Sequence, residues 1–174
     1  MTKSQVFTYW RRVNFYETDL MRIVHHSNYL RFCEEARVDW ALKKGLIEYQ
    51  QPNSAYQLAV LETRVQHVKP AVFGDQLKIC VQARLEKIRI IFQYQIYKVI
   101  DTVLENTSDR LESKNILKTK LANSTAADVT AVSVLLARIE TKHVALDLNL
   151  KPIKPPQEMQ NIFRKELPWI ETWL

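Results

Sequence analysis

The chain lacks several features that mark metal-rich, secreted or membrane proteins. Its two cysteines, Cys33 and Cys80, lie in apolar stretches without the paired spacing of a metal site, so we expect two buried thiols. No apolar run reaches the roughly 18 residues that cross a bilayer, and Met1 to Trp10 lacks the apolar core of a secretory signal. We therefore expect a cytoplasmic protein without a membrane span.

Glycine is scarce as well, which limits where the chain can adopt left-handed conformations. Only Gly45 and Gly74 occur among the 174 residues, and each falls where a predicted element ends. The length is typical of one domain with a hydrophobic core, and no internal repeat divides it. We predict a single domain over residues 1–174.

The charge of the chain favours an anionic partner without identifying it. The net charge of +6 suits nucleic acid, an acidic membrane surface or a phosphate-bearing small molecule. The lysines and arginines are scattered, and the aromatic residues fall mostly at positions typical of a core. This distribution disfavours nucleic-acid binding.

The strongest secondary-structure pattern is a helix that begins near His26. Ser27 or Asn28 can cap its first turn through a side-chain oxygen, and Gly45 is expected to end it in a left-handed conformation. Apolar residues recur at spacings of three and four, which predicts one buried stripe. These residues are Tyr29, Phe32, Cys33, Ala36 and Trp40.

Strand patterns lie on both sides of this helix. Alternating β-branched and aromatic residues predict five strands. Their ranges are Gln5–Phe15, Tyr56–Val68, Gln76–Leu85, Arg89–Ile100 and Ala131–Leu148. One long helix among antiparallel strands indicates an α+β fold with the helix packed on the sheet.

Three segments fall outside this pattern. The polar stretch Asp101–Thr130 reads as an insertion, and Lys151–Pro156 as a proline-rich turn. Gln157–Leu174 is expected to form a helical tail, in which Trp169 and Trp173 pack onto a neighbouring surface.

The residues that can carry chemistry are concentrated between Tyr16 and Arg37 (YETDLMRIVHHSNYLRFCEEAR). Asp19 and two histidines precede the strongest helix, whose unpaired N-terminal amides can stabilise negative charge on an oxygen. A carboxylate beside such a helix end supplies the base or nucleophile and the oxyanion hole of an acyl-transfer site. From the residues alone, a capping or surface role for Asp19 remains open.

Three blocks of the sequence resemble the 4-hydroxybenzoyl-CoA thioesterase superfamily, in particular its YbgC-like branch. Asp19 to Tyr29 (DLMRIVHHSNY) is similar to the family signature of an aspartate, a short loop and a histidine at a helix start. Lys69 to Asp75 (KPAVFGD) resembles the family's proline-alanine turn, and Glu140 to Val144 (ETKHV) resembles its last strand. The resemblance covers most of the chain outside the insertion and the tail.

The resemblance implies a hotdog fold, with a long helix on a curved antiparallel sheet, and acyl-CoA thioesterase activity. Asp19 would act as general base or nucleophile at the thioester carbonyl, and the backbone N–H of His26 would polarise the carbonyl oxygen. The His26 imidazole would orient Asp19 or the attacking water. The residues predicted to bind substrate are His25, Ser27, Asn28, Tyr29, Arg22, Lys87 and Arg89, the last two through a CoA phosphate.

The resemblance also implies which partners the chain has. Coenzyme A enters as part of the substrate, no metal or redox cofactor is expected, and an acyl-carrier-protein thioester is equally permitted. Family members pair their sheets edge to edge, which implies a homodimer or homotetramer with the active site at the subunit interface. The acyl group itself is left open.

Two departures from the family pattern support an alternative function. Arg22 stands where the family usually has glycine, and Phe15 where it often has tyrosine. A non-catalytic acyl-CoA-binding protein is therefore one alternative. A hydroxyacyl dehydratase or hydratase using His26 and Glu35 is another, although the intact Asp19 seven residues before His26 favours the thioesterase.

The remaining histidines have simpler interpretations. His25 and His26 are adjacent and lack a third ligand at suitable spacing, so no metal site is expected. His67 and His143 fall in strands, where packing or surface roles are expected. Of Glu34 and Glu35, at least one is expected to face solvent.

Overall fold

The structure, a computed structural model, describes residues 6–47, 56–100 and 132–165. Phe15–Glu17 forms a single 3-10 turn ahead of the first helix. The elements in chain order are β1 (Phe7–Arg12), α1 (Asn28–Lys43), β2 (Gln57–His67), β3 (Gln76–Glu86), β4 (Arg89–Ile100), β5 (Val132–Leu146), β6 (Pro152–Ile153) and α2 (Gln157–Lys165). The five predicted strands and the long helix are confirmed, with bounds that differ by a few residues.

The described strands form one antiparallel sheet in the order β1-β3-β4-β5-β2, and β6 pairs with the end of β5. A two-residue turn joins β3 to β4, and both β4 and β2 pair with β5, so β2 lies at the far edge of the described sheet. The edges are therefore β1 and the longer β2. α1 packs against one face of the sheet, which confirms the predicted α+β architecture.

The predicted apolar stripe of α1 forms the centre of the core. All five of its residues are buried, and Phe32 and Ala36 are 0% exposed. The facing residues of β3, Leu77, Ile79 and Val81, are buried on one side of the strand, as the alternation predicts. Each large side chain buried in this way contributes roughly 1.5–3 kcal/mol.

The predicted cap of α1 is wrong. Ser27 occupies the cap position but has right-handed helical angles, and its side chain makes no capping bond. Its Oγ lies 2.8 Å from Nδ1 of His25 instead. The Asn28 side chain donates to the carbonyl oxygen of Glu17 at 2.7 Å, so both candidate caps are used by the preceding loop.

The proline-rich segment differs from its prediction as a simple turn. Pro152 and Ile153 pair with Leu146 and Ala145, which adds β6 to the sheet. Proline is tolerated there because it is the first residue of a short edge strand. The end of α1 agrees with prediction, since Gly45 is left-handed with a φ of 70°.

The two thiols differ in exposure. Cys33 is buried, and burial raises the pKa of its thiol well above the ordinary value. Cys80 is only partly buried, so the prediction of two buried thiols holds for Cys33 alone.

Some predictions fall on residues outside the described ranges. These are the insertion 101–130 and the tail beyond Lys165, with Trp169 and Trp173. Within the described ranges, no helix has both the length and the apolar character needed to span a bilayer.

Candidate active site

Asp19 lies in a tight loop between the 3-10 turn and α1. Its backbone N–H donates to the carbonyl oxygen of Ile23 at 2.9 Å, and its carbonyl oxygen accepts the Arg22 N–H at 2.9 Å. Oδ1 of Asp19 accepts the Met21 N–H at 2.8 Å. The carboxylate is thus fixed to its own loop, while Oδ2 has no hydrogen-bond partner among the described residues.

Arg22 occupies the glycine position of the family pattern without changing the kind of turn that a glycine would make. Its φ is 63°, in the left-handed region that favours glycine. Its side chain is exposed, so the loop accommodates it without displacing Asp19. The arginine therefore adds backbone strain and a cation beside the loop rather than a steric block.

The start of α1 presents an unpaired amide close to this loop. The His25 N–H donates to the carbonyl oxygen of Glu17, and the Asn28 N–H to that of His25, both at 2.9 Å. Between them, the His26 N–H donates to no acceptor in the described part of the chain. His26 is exposed, so this amide can donate to a bound oxygen at the positive end of the helix dipole.

Of the predicted substrate-binding residues, Tyr29 lies beneath the site. Its side chain is 2% exposed, and its hydroxyl accepts the Ala71 N–H at 3.2 Å. This bond holds the turn over residues 69–75, whose Gly74 has a φ of 87°. Tyr29 therefore supports the site from within the core.

The proline-alanine turn packs directly on the Asp19 loop. The Val24 N–H donates to the carbonyl oxygen of Ala71 at 2.8 Å, and Ile23 and Val72 form an isolated β-bridge. Asp75 closes the turn by accepting the Val72 N–H at 3.0 Å. Two motif blocks some distance apart in the sequence thus form one surface.

Lys87 and Arg89 do not join this surface within one chain. They lie at the hairpin between β3 and β4, whereas the Asp19 loop lies beside the opposite end of β3. Eleven residues of extended strand place these ends roughly 30 Å apart. Within one chain the structure therefore separates them from Asp19, and their contact with a CoA phosphate stays a prediction.

A third histidine lies near the two predicted ones. The rings of His25 and His26 are 4.1 Å apart, and the ring of His67 lies edge-on to Tyr29 with 4.9 Å between centroids. Partial burial and, to a smaller extent, His26 lower the pKa of His67. His67 is exposed at the end of β2 and packs on Tyr29, in agreement with its prediction as a packing or surface residue. Among the described residues, no group of three His, Cys, Asp or Glu is arranged to hold a metal ion.

Sequence reasoning also missed Arg11 and Glu17. Their side chains form an ion pair with both partners 7% exposed, directly before the Asp19 loop. A glutamate two residues before a candidate aspartate was the available signal. Nothing in the spacing indicated that an arginine of β1 would meet it.

At the other end of α1, an apolar cavity of about 210 Å³ opens between helix and sheet. Among the described residues of its lining, which include Trp40, Leu46, Tyr56, Leu58 and Phe163, Arg37 alone is charged. Nη1 of Arg37 lies 2.9 Å from Nε2 of His143, which is 0% exposed. Burial, and secondarily Arg37, lower the pKa of His143 to about 4, so this histidine is a neutral packing residue as predicted.

Comparison with known proteins agrees with the sequence signature. Residues 13–163 match the family model described as the thioesterase-like superfamily. The chain is 31% identical over 100 residues to the 1,4-dihydroxy-2-naphthoyl-CoA hydrolase of Thermosynechococcus vestitus, across 56% of this chain and 68% of the relative. It is 28% identical over 95 residues to the acyl-CoA thioesterase YbgC of Helicobacter pylori, across 54% of this chain and 69% of the relative.

Solved structures agree with the same fold. The 1,4-dihydroxy-2-naphthoyl-CoA thioesterase of Synechocystis superposes with a TM-score of 0.65 at 22% sequence identity. The superposition covers 92% of this chain and 97% of that chain. This likeness concerns the fold alone.

Proposed function

The chain belongs to the thioesterase-like superfamily, and on that basis we propose that it hydrolyses an acyl-CoA thioester to a free acid and coenzyme A. The predicted family, hotdog fold and thioester-hydrolase class are confirmed. One observation carries the finer proposal. Asp19 is held in a fixed loop beside the N-terminus of α1, where the His26 N–H is unpaired among the described residues.

Asp19 and the His26 amide supply the two parts of the reaction. As general base, Asp19 takes a proton from water while the water oxygen attacks the thioester carbon. As nucleophile, its carboxylate attacks that carbon and water then cleaves the anhydride. In either route the carbonyl oxygen gains negative charge, which the His26 N–H stabilises, and the carbon–sulfur bond breaks to release the thiol.

The substrate class is proposed from the relatives and from charge. One relative is named for 1,4-dihydroxy-2-naphthoyl-CoA and another for acyl-CoA, so a CoA thioester is the first candidate. The net charge of +6 and the exposed Arg22 beside the loop suit the phosphates of coenzyme A. An acyl-carrier-protein thioester is the second candidate, and a cytoplasmic location is proposed with both.

We propose a homodimer formed through the β2 edge. β2 is a long edge strand whose Val60 and Leu61 are each 55% exposed in the single chain. Two such edges can pair in antiparallel fashion. Such a pair brings the Gln57 end of one β2 near the His67 end of the other. The apolar cavity of one chain then lies beside the Asp19 loop of its partner, where it can receive an acyl group.

The dehydratase alternative has less support from the geometry. Glu35 is the carboxylate that this alternative requires. Both of its oxygens accept from Nη1 of Arg11 at 2.6 Å, and one also accepts from the Tyr9 hydroxyl at 3.4 Å. The alternative of a non-catalytic binding protein depended on Arg22 and Phe15. The left-handed turn at Arg22 keeps the loop closed, so that departure does not by itself favour loss of activity.

The test is thiol release from a panel of short, long and aromatic acyl-CoAs. We expect wild-type turnover, and a fall of about a hundredfold or more in kcat for Asp19→Asn, since a catalytic base contributes about that much. Asp147→Asn is the matched control, because Oδ1 of Asp147 accepts the Asn149 N–H at 2.9 Å in a similar turn. Acyl-CoA binding without thiol release would favour the binding protein instead.

A further inference from the structure

A buried ion pair lies directly before the Asp19 loop, and neither of its two side chains forms a hydrogen bond to a predicted substrate-binding residue among those described. The Arg11 side chain on β1 is 7% exposed, and it pairs with Glu17, which is equally buried. Arginine and glutamate are rarely buried unless paired. Each of these side chains is therefore buried because the other one neutralises its charge. The pair lies directly before the Asp19 loop, so it can fix the position of that loop.

Arg11 joins three parts of the molecule. Nη2 pairs with Glu17 of the 3-10 turn, and Nη1 donates to both carboxylate oxygens of Glu35 on α1 at 2.6 Å. The Phe32 ring of α1 lies 3.8 Å from the Arg11 guanidinium carbon. A single cation thus fixes the turn before Asp19 to both the sheet and the helix.

Glu17 extends this attachment to both ends of the loop. Its Oε2 accepts the Asn14 N–H at 2.7 Å, which fixes the 3-10 turn. Its backbone carbonyl oxygen accepts the His25 N–H at 2.9 Å and the Asn28 side-chain amide at 2.7 Å. One residue therefore holds the chain two positions before Asp19 and one position before His26.

We propose that Arg11 and Glu17 are positioning residues that set Asp19 relative to the His26 amide, an inference that rests on the proposed thioesterase function. Loss of the Arg11 cation leaves the Glu17 carboxylate buried and unpaired, a state that a protein relieves by moving the group toward water. The carbonyl oxygen of Glu17 moves with it, and so do both ends of the loop. A displacement of about 1 Å at a reacting group lowers turnover by about a hundredfold.

The experiment compares Arg11→Met, Arg11→Lys and Glu17→Gln with wild type in kcat, KM and melting temperature. Glu140→Gln is the matched control, because Glu140 is a buried glutamate of β5, 7% exposed, that accepts from Gln93 at 2.9 Å. We expect Arg11→Met and Glu17→Gln to lower kcat by about tenfold to a hundredfold with KM within about threefold. Arg11→Lys should recover part of kcat, since lysine keeps the charge but not the planar fork.

Hydrogen exchange provides a readout that does not need turnover. The Asp19 and His25 amides are hydrogen-bonded within the loop, so they should exchange faster in Arg11→Met and Glu17→Gln, while the amides of β3 and β4 stay protected. Thiol release by wild type tests the proposed function itself. Faster exchange confined to residues 18–26 supports the positioning role even if no tested acyl-CoA is hydrolysed.

Two outcomes would overturn the proposal. One is a kcat of folded Glu17→Gln within about twofold of wild type, with unchanged exchange in the loop. The other is exchange that accelerates equally across the loop and the sheet, with a lower melting temperature. The second result would make Arg11 and Glu17 contributors to global stability only.

Discussion

Arg22 is held in a backbone conformation that a residue with a side chain adopts at a cost. Its φ of 63° lies in the left-handed region, where a non-glycine residue is disfavoured by roughly 1–2 kcal/mol. Glycine would remove this strain but has more freedom in the unfolded chain, which offsets roughly 0.5–1 kcal/mol. We expect Arg22→Gly to raise the free energy of unfolding by about 0.5–1 kcal/mol, measured by urea denaturation.

The same substitution tests the cation beside the loop. Leu150→Gly is the matched control, since Leu150 has a φ of 62° and lies in the turn before β6. Both variants should gain similar stability, while only Arg22→Gly should raise KM for acyl-CoA, by about threefold for a lost surface charge contact. An equal KM in all three proteins would exclude Arg22 from substrate binding.

His143 predicts a loss of stability in acid. It is 0% exposed and its pKa falls to about 4, with burial as the main cause and the Arg37 guanidinium as the second. Below pH 6.5 the unfolded chain protonates this histidine while the folded chain does not, so stability falls until about pH 4 is reached. The shift corresponds to about 3 kcal/mol.

The measurement is the free energy of unfolding of wild type and His143→Gln between pH 7 and pH 4. Glutamine can still bond Arg37 and Thr141 but does not titrate, and the carboxylates contribute equally to both proteins. The difference between the two curves should therefore change by about 3 kcal/mol over this range. Parallel curves would contradict a buried neutral histidine.

At the scale of elements, the spacing of apolar residues was sufficient to predict the long helix and the main strands, because burial of one face determines that spacing. The spacing of apolar residues predicted the α1 stripe, since a helix with one buried face requires it. β4 was predicted with the bounds that the structure gives, because Gly and Pro are absent from its interior. Elements whose apolar pattern is set by packing could therefore be predicted from the sequence.

The errors at this scale concern groups with several available partners. Ser27 and Asn28 have the right chemistry for a cap, but His25 and the Glu17 carbonyl oxygen compete for their side chains. Propensity cannot rank these partners, since the loop fold decides which is within reach. β6 was missed for a similar reason, because a two-residue strand has no period and exists only beside β5.

At the scale of the whole molecule, the sequence could identify the residues of the site but not their distances. Asp19 and His26 lie seven positions apart, so a loop and a helix start necessarily place them in one region. The positions of two other pairs relative to Asp19 depend on the order of β1 and β3 in the sheet. These pairs are Arg11 with Glu17 and Lys87 with Arg89. The first pair was therefore not predicted. The second pair lies at the opposite end of β3 from the Asp19 loop, and its role at a CoA phosphate stays a prediction.

The final prediction concerns dimer formation through the β2 edge. Leu61 lies near the middle of β2 at a β-bulge and is 55% exposed, so a second β2 would cover it. A charge at this position would be buried without a partner in the dimer, which opposes association. We expect Leu61→Glu to be a monomer by light scattering while wild type has twice that mass.

Activity should follow the loss of the dimer, because the cavity of one chain would no longer lie beside the Asp19 loop of the other. We expect thiol release by Leu61→Glu to fall by at least about tenfold at equal chain concentration. Ile88→Glu is the matched control, since Ile88 is 45% exposed at the hairpin tip away from the β2 edge. Equal mass and equal turnover in wild type and Leu61→Glu would exclude this edge as the interface. A monomer that retains full activity would show that one chain holds the complete site.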